Sequence, residues 1–147
     1  MARIFKGAAI ALIALLPVGA YAQAAKSFRA RLSPVPIDLT MAATIAGSGS
    51  VTATLNGSKL SINGTFDGLK SPATVARLHK GQRGVRGEPI LELTATKGTS
   101  GSITANLELT SQQVQDLQQM RLYVQLYSEK APDGNLWGWL LPQEGKR

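Results

Sequence analysis

Residues 51–66 read VTATLNGSKLSINGTF, and their alternation decides the fold class. Apolar residues occupy alternate positions on both sides of the Asn56-Gly57 pair: Val51, Ala53 and Leu55 before it, and Leu60, Ile62 and Phe66 after it. This period of two is typical of strands with one buried face. Asn-Gly between two such runs predicts a tight hairpin. The stretch therefore predicts two antiparallel strands.

The same alternation recurs along the chain in segments separated by turn-forming residues: 74–79, 90–93, 103–109, 122–127 and 136–140. Short strands at this spacing predict an antiparallel sandwich or barrel. Asn63-Gly64 and Pro132-Asp133-Gly134 are interpreted as turns. One segment departs from the pattern, because Val114, Leu117 and Met120 follow Thr110-Ser111 at helical spacing. We expect one short helix near residues 111–120, with Ser or Thr as its N-cap.

The N-terminus has the pattern of a secretory signal peptide. Arg3 and Lys6 precede an uncharged apolar run over residues 7–20. Ala20-Tyr21-Ala22 provides a cleavage site, and Ala22-Gln23-Ala24 provides a second candidate two residues later. The run is too short to cross roughly 30 Å of hydrocarbon. We therefore expect residues 1–22 to be removed. The mature chain, 23–147, would then be exported to the periplasm or secreted, without a stable membrane anchor.

Composition constrains the possible partners and the chemistry. The chain has 16 basic and 9 acidic residues, and removing Arg3 and Lys6 leaves 14 against 9, a net charge of +5. This charge favours anionic partners, but it is too small and scattered to indicate a nucleic-acid binder. The chain has no cysteine, so no disulfide supports the fold. Residues 143–147 are predicted to be a polar tail.

Two blocks of residues carry a family resemblance. Residues 76–79 read ARLH and are followed by glycines at three-residue intervals: Gly81, Gly84 and Gly87. The late block consists of YVQLYS (123–128), PDG (132–134) and NLWGWL (135–140). Over residues 26–142 the chain resembles the CHRD (chordin) domain. For the mature domain we predict a Greek-key β-sandwich, either immunoglobulin-like or like Cu,Zn superoxide dismutase.

The departures from the family pattern all fall on polar positions. Arg77 and Tyr127 stand where the resemblance implies histidines, and His79 is the one histidine that remains. Strand parity directs these positions away from the leucines of the same strands. The predicted face consists of Arg77, His79, Tyr123, Gln125, Tyr127, Asn135, Trp137 and Trp139.

Two interpretations of this face remain open. If it is exposed, its aromatic side chains would bind a protein or a glycan. If it is covered, by the segment around residues 34–46 or by the other sheet, it is a second core.

A basic, glycine-rich loop follows His79. Lys80, Arg83 and Arg86 each lie close to a glycine, where backbone can approach a ligand closely. One interpretation is a site for phosphate, sulfate or an acidic glycan. The other is a loop shaped by its glycines that carries ordinary solvated charges.

Metal and catalytic sites are not expected. A transition-metal site needs three or four His, Cys or carboxylate ligands, and the chain has one His and no Cys. No nucleophile-elbow sequence is present. We predict no metal, no cofactor and no enzymatic activity. The predicted function is that of an exported binding module, and the alternative is a metal-binding or metal-dependent oxidoreductase-like sandwich.

Overall fold

The computed structural model describes residues 24–144, which form nine strands and one helix. The predicted signal peptide lies outside the described residues, as do residues 145–147 of the predicted tail. The elements are β1 (Lys26–Pro34), β2 (Ser48–Asn56), β3 (Lys59–Asp67), β4 (Ala73–Lys80), β5 (Glu88–Ala95), β6 (Gly101–Glu108), α1 (Ser111–Gln118), β7 (Leu122–Ser128), β8 (Ala131–Trp139) and β9 (Leu141–Pro142). Within the described part of the chain, no helix is long and apolar enough to cross a membrane.

The prediction of an all-β, antiparallel fold is confirmed, but its arrangement differs from the predicted Greek-key sandwich. Eight strands close into a barrel in the order β1-β2-β3-β6-β5-β4-β7-β8, and β8 returns to β1. β1 pairs along β2 and still reaches β8 through Ser33 and Pro34. β5 pairs with β4 and reaches β6 through Thr94 and Ala95. The seam between β1 and β8 joins strands distant in sequence, so periodicity does not reveal it.

The turns differ from the prediction in detail. Asn56 pairs with Lys59, so the two loop residues are Gly57 and Ser58. Gly57 has φ 64°, whereas Ser58 stays in the negative-φ region. This pattern is typical of a type II′ turn, in which glycine takes the first loop position.

The other two predicted turns are wrong. Asn63-Gly64 lies inside β3, where a Cβ on Gly64 would collide with the backbone of β2 at Ser50. The turn before β8 is at residues 129–130, ahead of Pro132-Asp133-Gly134. That tripeptide forms an irregular stretch of β8, in which Gly134 has φ 126° and lies against the Gln125 side chain.

The short helix forms where helical spacing predicts it. Thr110 is the N-cap, and its side chain accepts a hydrogen bond from the backbone N–H of Gln113. The Gln113 side chain accepts one from the Thr110 N–H in return, which completes a capping box. Leu117 is fully buried in the main core. The helix therefore connects β6 to β7 and covers part of that core.

Two separate cores pack against the same strands. The first core fills the barrel with the alternating residues of its strands, among them Leu78, Val124 and Leu136. The second core, as we name it, consists of Val35, Ile45, Tyr123, Ala131 and Trp137, with Met41 and Trp139 packed against it. Strand parity therefore separates the leucines from the aromatic residues, as predicted.

Candidate functional site

The structure brings the eight residues of the predicted face onto neighbouring strands. The pairing of β4, β7 and β8 places His79 opposite Tyr123, and Tyr123 opposite Trp139. Gln125 lies between Arg77 and Trp137 in the same way. The patch predicted from parity therefore exists as one continuous group of side chains.

Of the two interpretations of this face, the structure shows the covered one. Six of its residues are buried: His79, Tyr123, Gln125, Tyr127, Asn135 and Trp137. Arg77 and Trp139 are partly exposed. The cover is the strap, as we call residues 35–47 between β1 and β2, which contributes Val35 and Ile45. These aromatic residues form a second core instead of an open binding face.

The aromatic rings within the second core are in mutual contact. The ring centroid of Tyr123 lies 4.4 Å from that of Trp139 and 4.8 Å from that of His79. Trp137 meets Tyr123 edge-on at 5.8 Å and Trp139 at 4.7 Å. The Arg77 guanidinium lies over the Tyr127 ring, 5.1 Å from its centroid. The cluster is a packed aromatic layer.

His79 is held on both ring nitrogens. Its Nδ1 lies 3.0 Å from the Gly87 carbonyl oxygen, which can only accept, so Nδ1 carries the proton and donates. Its Nε2 then accepts from the Tyr127 hydroxyl at 2.7 Å. Burial lowers the pKa of His79, since it penalises the charged imidazolium. His79 is a neutral structural residue that fastens the basic loop.

The other buried polar groups of the patch are paired in part. Tyr123 accepts a hydrogen bond from the Gly87 N–H at 2.8 Å, and burial raises the pKa of its phenol. Gln125 donates to the Asp133 carbonyl, and Asn135 donates to the Ser128 hydroxyl. The side-chain carbonyl oxygens of Gln125 and Asn135 have no protein partner.

The basic loop, residues 80–87, folds back over the second core. The Trp139 indole N–H donates to the Gly81 carbonyl at 3.0 Å, and Gly87 is fixed by Tyr123 and His79. A Cβ on Gly87 would collide with the Lys80 carbonyl, so the loop needs glycine there. The glycines of the predicted motif therefore shape a loop that docks on the aromatic layer.

The three basic residues predicted for anion binding differ in their surroundings. Lys80 forms a salt bridge of 3.0 Å with Asp116, whose side chain is buried, so its charge is neutralised within the domain. Arg86 donates to the Asp133 carbonyl at 2.9 Å. Within residues 24–144, the exposed Arg83 has neither a carboxylate nor a hydrogen-bond partner. Of the three, Arg83 is therefore the one without such a partner among the described residues.

Beside Arg83 lies a depression that the sequence analysis missed. It is open, has a volume of about 850 Å³, and is lined by Arg31, Ser33, Arg83, Gly84, Trp137, Gly138, Trp139 and Leu141. β1 can cross β8 closely because Gly138 has no side chain to collide with the Arg31 carbonyl. We call this depression, with its continuation along β1, the arginine groove.

A signal for Arg31 was present in the sequence. Phe28, Ala30 and Leu32 are all buried in the first core, so the residues between them point outward by parity. Arg29 and Arg31 are accordingly exposed. Parity does not predict the contact between β1 and β8, and it is this contact that places Arg31 beside the tryptophans.

The comparisons with known proteins concern the whole barrel. No curated protein and no solved structure shows significant similarity to the chain. The model of one family, described as the CHRD domain, matches residues 28–140, from the first core residue of β1 to the residue that follows β8. Since this match spans well over half of the sequence, the chain belongs to the CHRD domain family.

Proposed function

We propose that the chain is an exported, non-catalytic binding module that takes an anionic ligand in the arginine groove. One observation carries the proposal. Arg31 and Arg83 come from different elements, yet they line the same open depression, and none of its described lining residues is acidic. Two guanidinium groups that converge on one cavity are suited to carboxylate, sulfate or phosphate groups.

The distribution of charge supports this site. The mature chain has a predicted net charge of +5, from 14 basic and 9 acidic residues after loss of Arg3 and Lys6. In residues 24–144 the salt bridge found is Lys80–Asp116, which leaves Arg31 and Arg83 without a carboxylate partner. In the depression beside Arg83, an arriving anion therefore meets no acidic side chain among the described lining residues.

The hydrogen bonds in the second core favour a structural role for its polar residues over a catalytic one. His79 is the one histidine in the chain, and both of its ring nitrogens are already hydrogen-bonded inside the protein. To act as a base or a metal ligand, it would have to give up the contacts that hold the basic loop. The metal-dependent alternative has no specific observation in its favour.

The proposal is tested with the full chain, expressed with its own leader and purified after export. Retention on immobilised dextran sulfate at low salt is compared with retention on neutral dextran. The double variant Arg31→Gln/Arg83→Gln should bind dextran sulfate at least about tenfold more weakly than the parent. The matched control is Lys59→Gln/Lys97→Gln, which removes the same charge from exposed positions outside the groove.

The control variant should lose little affinity. Equal losses in both variants would mean that binding follows net charge alone, and the proposed site would be wrong. Absence of retention in the parent would overturn the proposed function itself.

A further inference from the structure

The arginine groove does not end at Arg31. A second open depression, of about 860 Å³, continues along β1 and shares Arg31 and Leu141 with the first. Its lining adds Arg29 and hydroxyl groups from β2 and β3, those of Ser50 and Thr65 among them. It also includes one carboxylate, that of the exposed Asp67 at the end of β3. The two depressions therefore adjoin each other at Arg31 and Leu141 on the outer side of the barrel.

The arginines lie in a row along this groove. Arg29 and Arg31 are two residues apart on one strand, so their side chains point the same way with Cα atoms about 6.7 Å apart. Ser33 pairs with Trp137, and continuing this register places Arg31 opposite Trp139. Arg83 extends the row from the basic loop. Cationic groups thus recur along the groove, and indole surfaces lie at one end.

This combination selects among anionic ligands. A single small anion would occupy one guanidinium pair and would make no use of the rest of the groove. A linear ligand with repeated carboxylate or sulfate groups could engage each arginine in turn. Hydroxyl side chains in the lining suit a ligand rich in hydroxyl groups, with which they can exchange hydrogen bonds.

A nucleic-acid strand fits the groove less well. Such strands need aromatic faces that are free for bases to stack on. Trp137 is only 9% exposed, and Trp139 is held by its hydrogen bond to Gly81. The indoles therefore present part of their surface and leave no open platform.

We infer that the groove binds a linear acidic oligosaccharide, with one acidic group at each of Arg83, Arg31 and Arg29. The inference rests on the proposed function, since it names the ligand class for the same site. It goes further by predicting that affinity increases with ligand length, because only the longer ligands reach Arg29.

The experiment uses oligogalacturonates of two and six sugar units with the exported full-length protein, measured by calorimetry. The six-unit ligand should bind about tenfold more tightly than the two-unit ligand, since it reaches one more arginine. Arg29→Gln should abolish this gain without changing the affinity for the shorter ligand. Arg121→Gln, an exposed arginine outside the groove, is the matched control and should keep the gain.

Three results would overturn the inference while leaving the proposed function in place. One is an equal affinity for both oligogalacturonate lengths, and another is a length dependence that survives in Arg29→Gln. The third is binding of oligodeoxythymidylate of matched charge as tightly as the six-unit sugar. Failure of the proposed function would differ from all three, because dextran sulfate binding would then not depend on Arg31 and Arg83.

Discussion

The two cores of this domain lie on opposite sides of the same strands and differ in chemistry. The first core is aliphatic for the most part, lies inside the barrel and is built from alternating strand residues. The second core is centred on Tyr123 and Trp137, and irregular chain covers it. The first core needs only packing, whereas the second must also satisfy hydroxyl, indole and imidazole groups.

The two faces of β7 belong to different cores. All seven of its residues are buried, because one face packs into the barrel and the other against the strap and the basic loop. Its alternation of apolar and polar residues would ordinarily indicate one face in water. Here the polar face is dry, so its groups find partners in the cover, as Tyr123 does at Gly87. The covering loop is therefore fixed by the layer beneath it.

The largest effect is expected from removing the indole of Trp137. Trp137→Ala should reduce the free energy of unfolding by about 3–5 kcal/mol, as large buried aromatic residues do. Denaturant unfolding measures the loss, and the native protein should show blue-shifted tryptophan emission. A loss of about 1 kcal/mol or less would be typical of a surface position, and it would contradict a covered second core.

A smaller effect is expected in the strap, where the chain provides its own control. Ile45 is 4% exposed and Ile37 is 45% exposed. Ile45→Ala should therefore destabilise the domain by about 2 kcal/mol, since it empties part of the second core. Ile37→Ala should stay within about 0.5 kcal/mol of the parent. Equal effects at both positions would mean that the strap does not act as a cover.

The sequence predicts those features of the two cores that depend on neighbouring residues, and it does not predict those that depend on contacts between distant segments. Strands, the helix and the separation of leucines from aromatic residues follow from periodicity and parity. The segment around residues 34–46 was one of the two covers considered from the sequence. Periodicity could not decide between a covered and an exposed face, because Val35 and Ile45 lie in a segment without regular structure, where no period marks a buried residue. Closure of the barrel also depends on pairs distant in sequence, such as Ser33 with Trp137.

The sequence predicts only those residues of the candidate site that a local pattern marks. Arg83 was identified from its glycine-rich loop, and parity marks Arg31 as outward. The neutralisation of Lys80 by Asp116 joins the end of β4 to α1. That contact is set by tertiary packing, and neither segment signals it alone.

The smallest stability effect is expected from pH. The pKa of His79 is lowered chiefly by burial and also by Arg77 and Arg86, while the Gly87 carbonyl and Glu88 act in the opposite direction. The unfolded chain takes up this proton near pH 6.5, before the folded protein does. Stability is therefore complete above about pH 6.5 and falls as the pH decreases towards the lowered value.

One proton limits the slope to less than about 1.4 kcal/mol per pH unit. In His79→Gln, urea unfolding at pH 5 to 7 should give a nearly constant free energy of unfolding. Asp38→Asn is the control, because the Thr40 hydroxyl lowers the pKa of Asp38. A lowered carboxyl pKa affects stability only at more acidic pH, below about 4. A slope between pH 5 and 7 that survives in His79→Gln would exclude His79 as its source.

The arginine groove is tested most directly by NMR titration of the protein, labelled with ¹⁵N, with six-unit oligogalacturonate. The chain has two tryptophans, so two indole N–H signals report from beside the groove. We predict that the Trp139 indole and the backbone amides of Arg31, Ser33 and Arg83 shift together, while the hairpin at Gly57-Ser58 does not. Shifts confined to residues outside the groove, or no shifts at all, would contradict the proposed site.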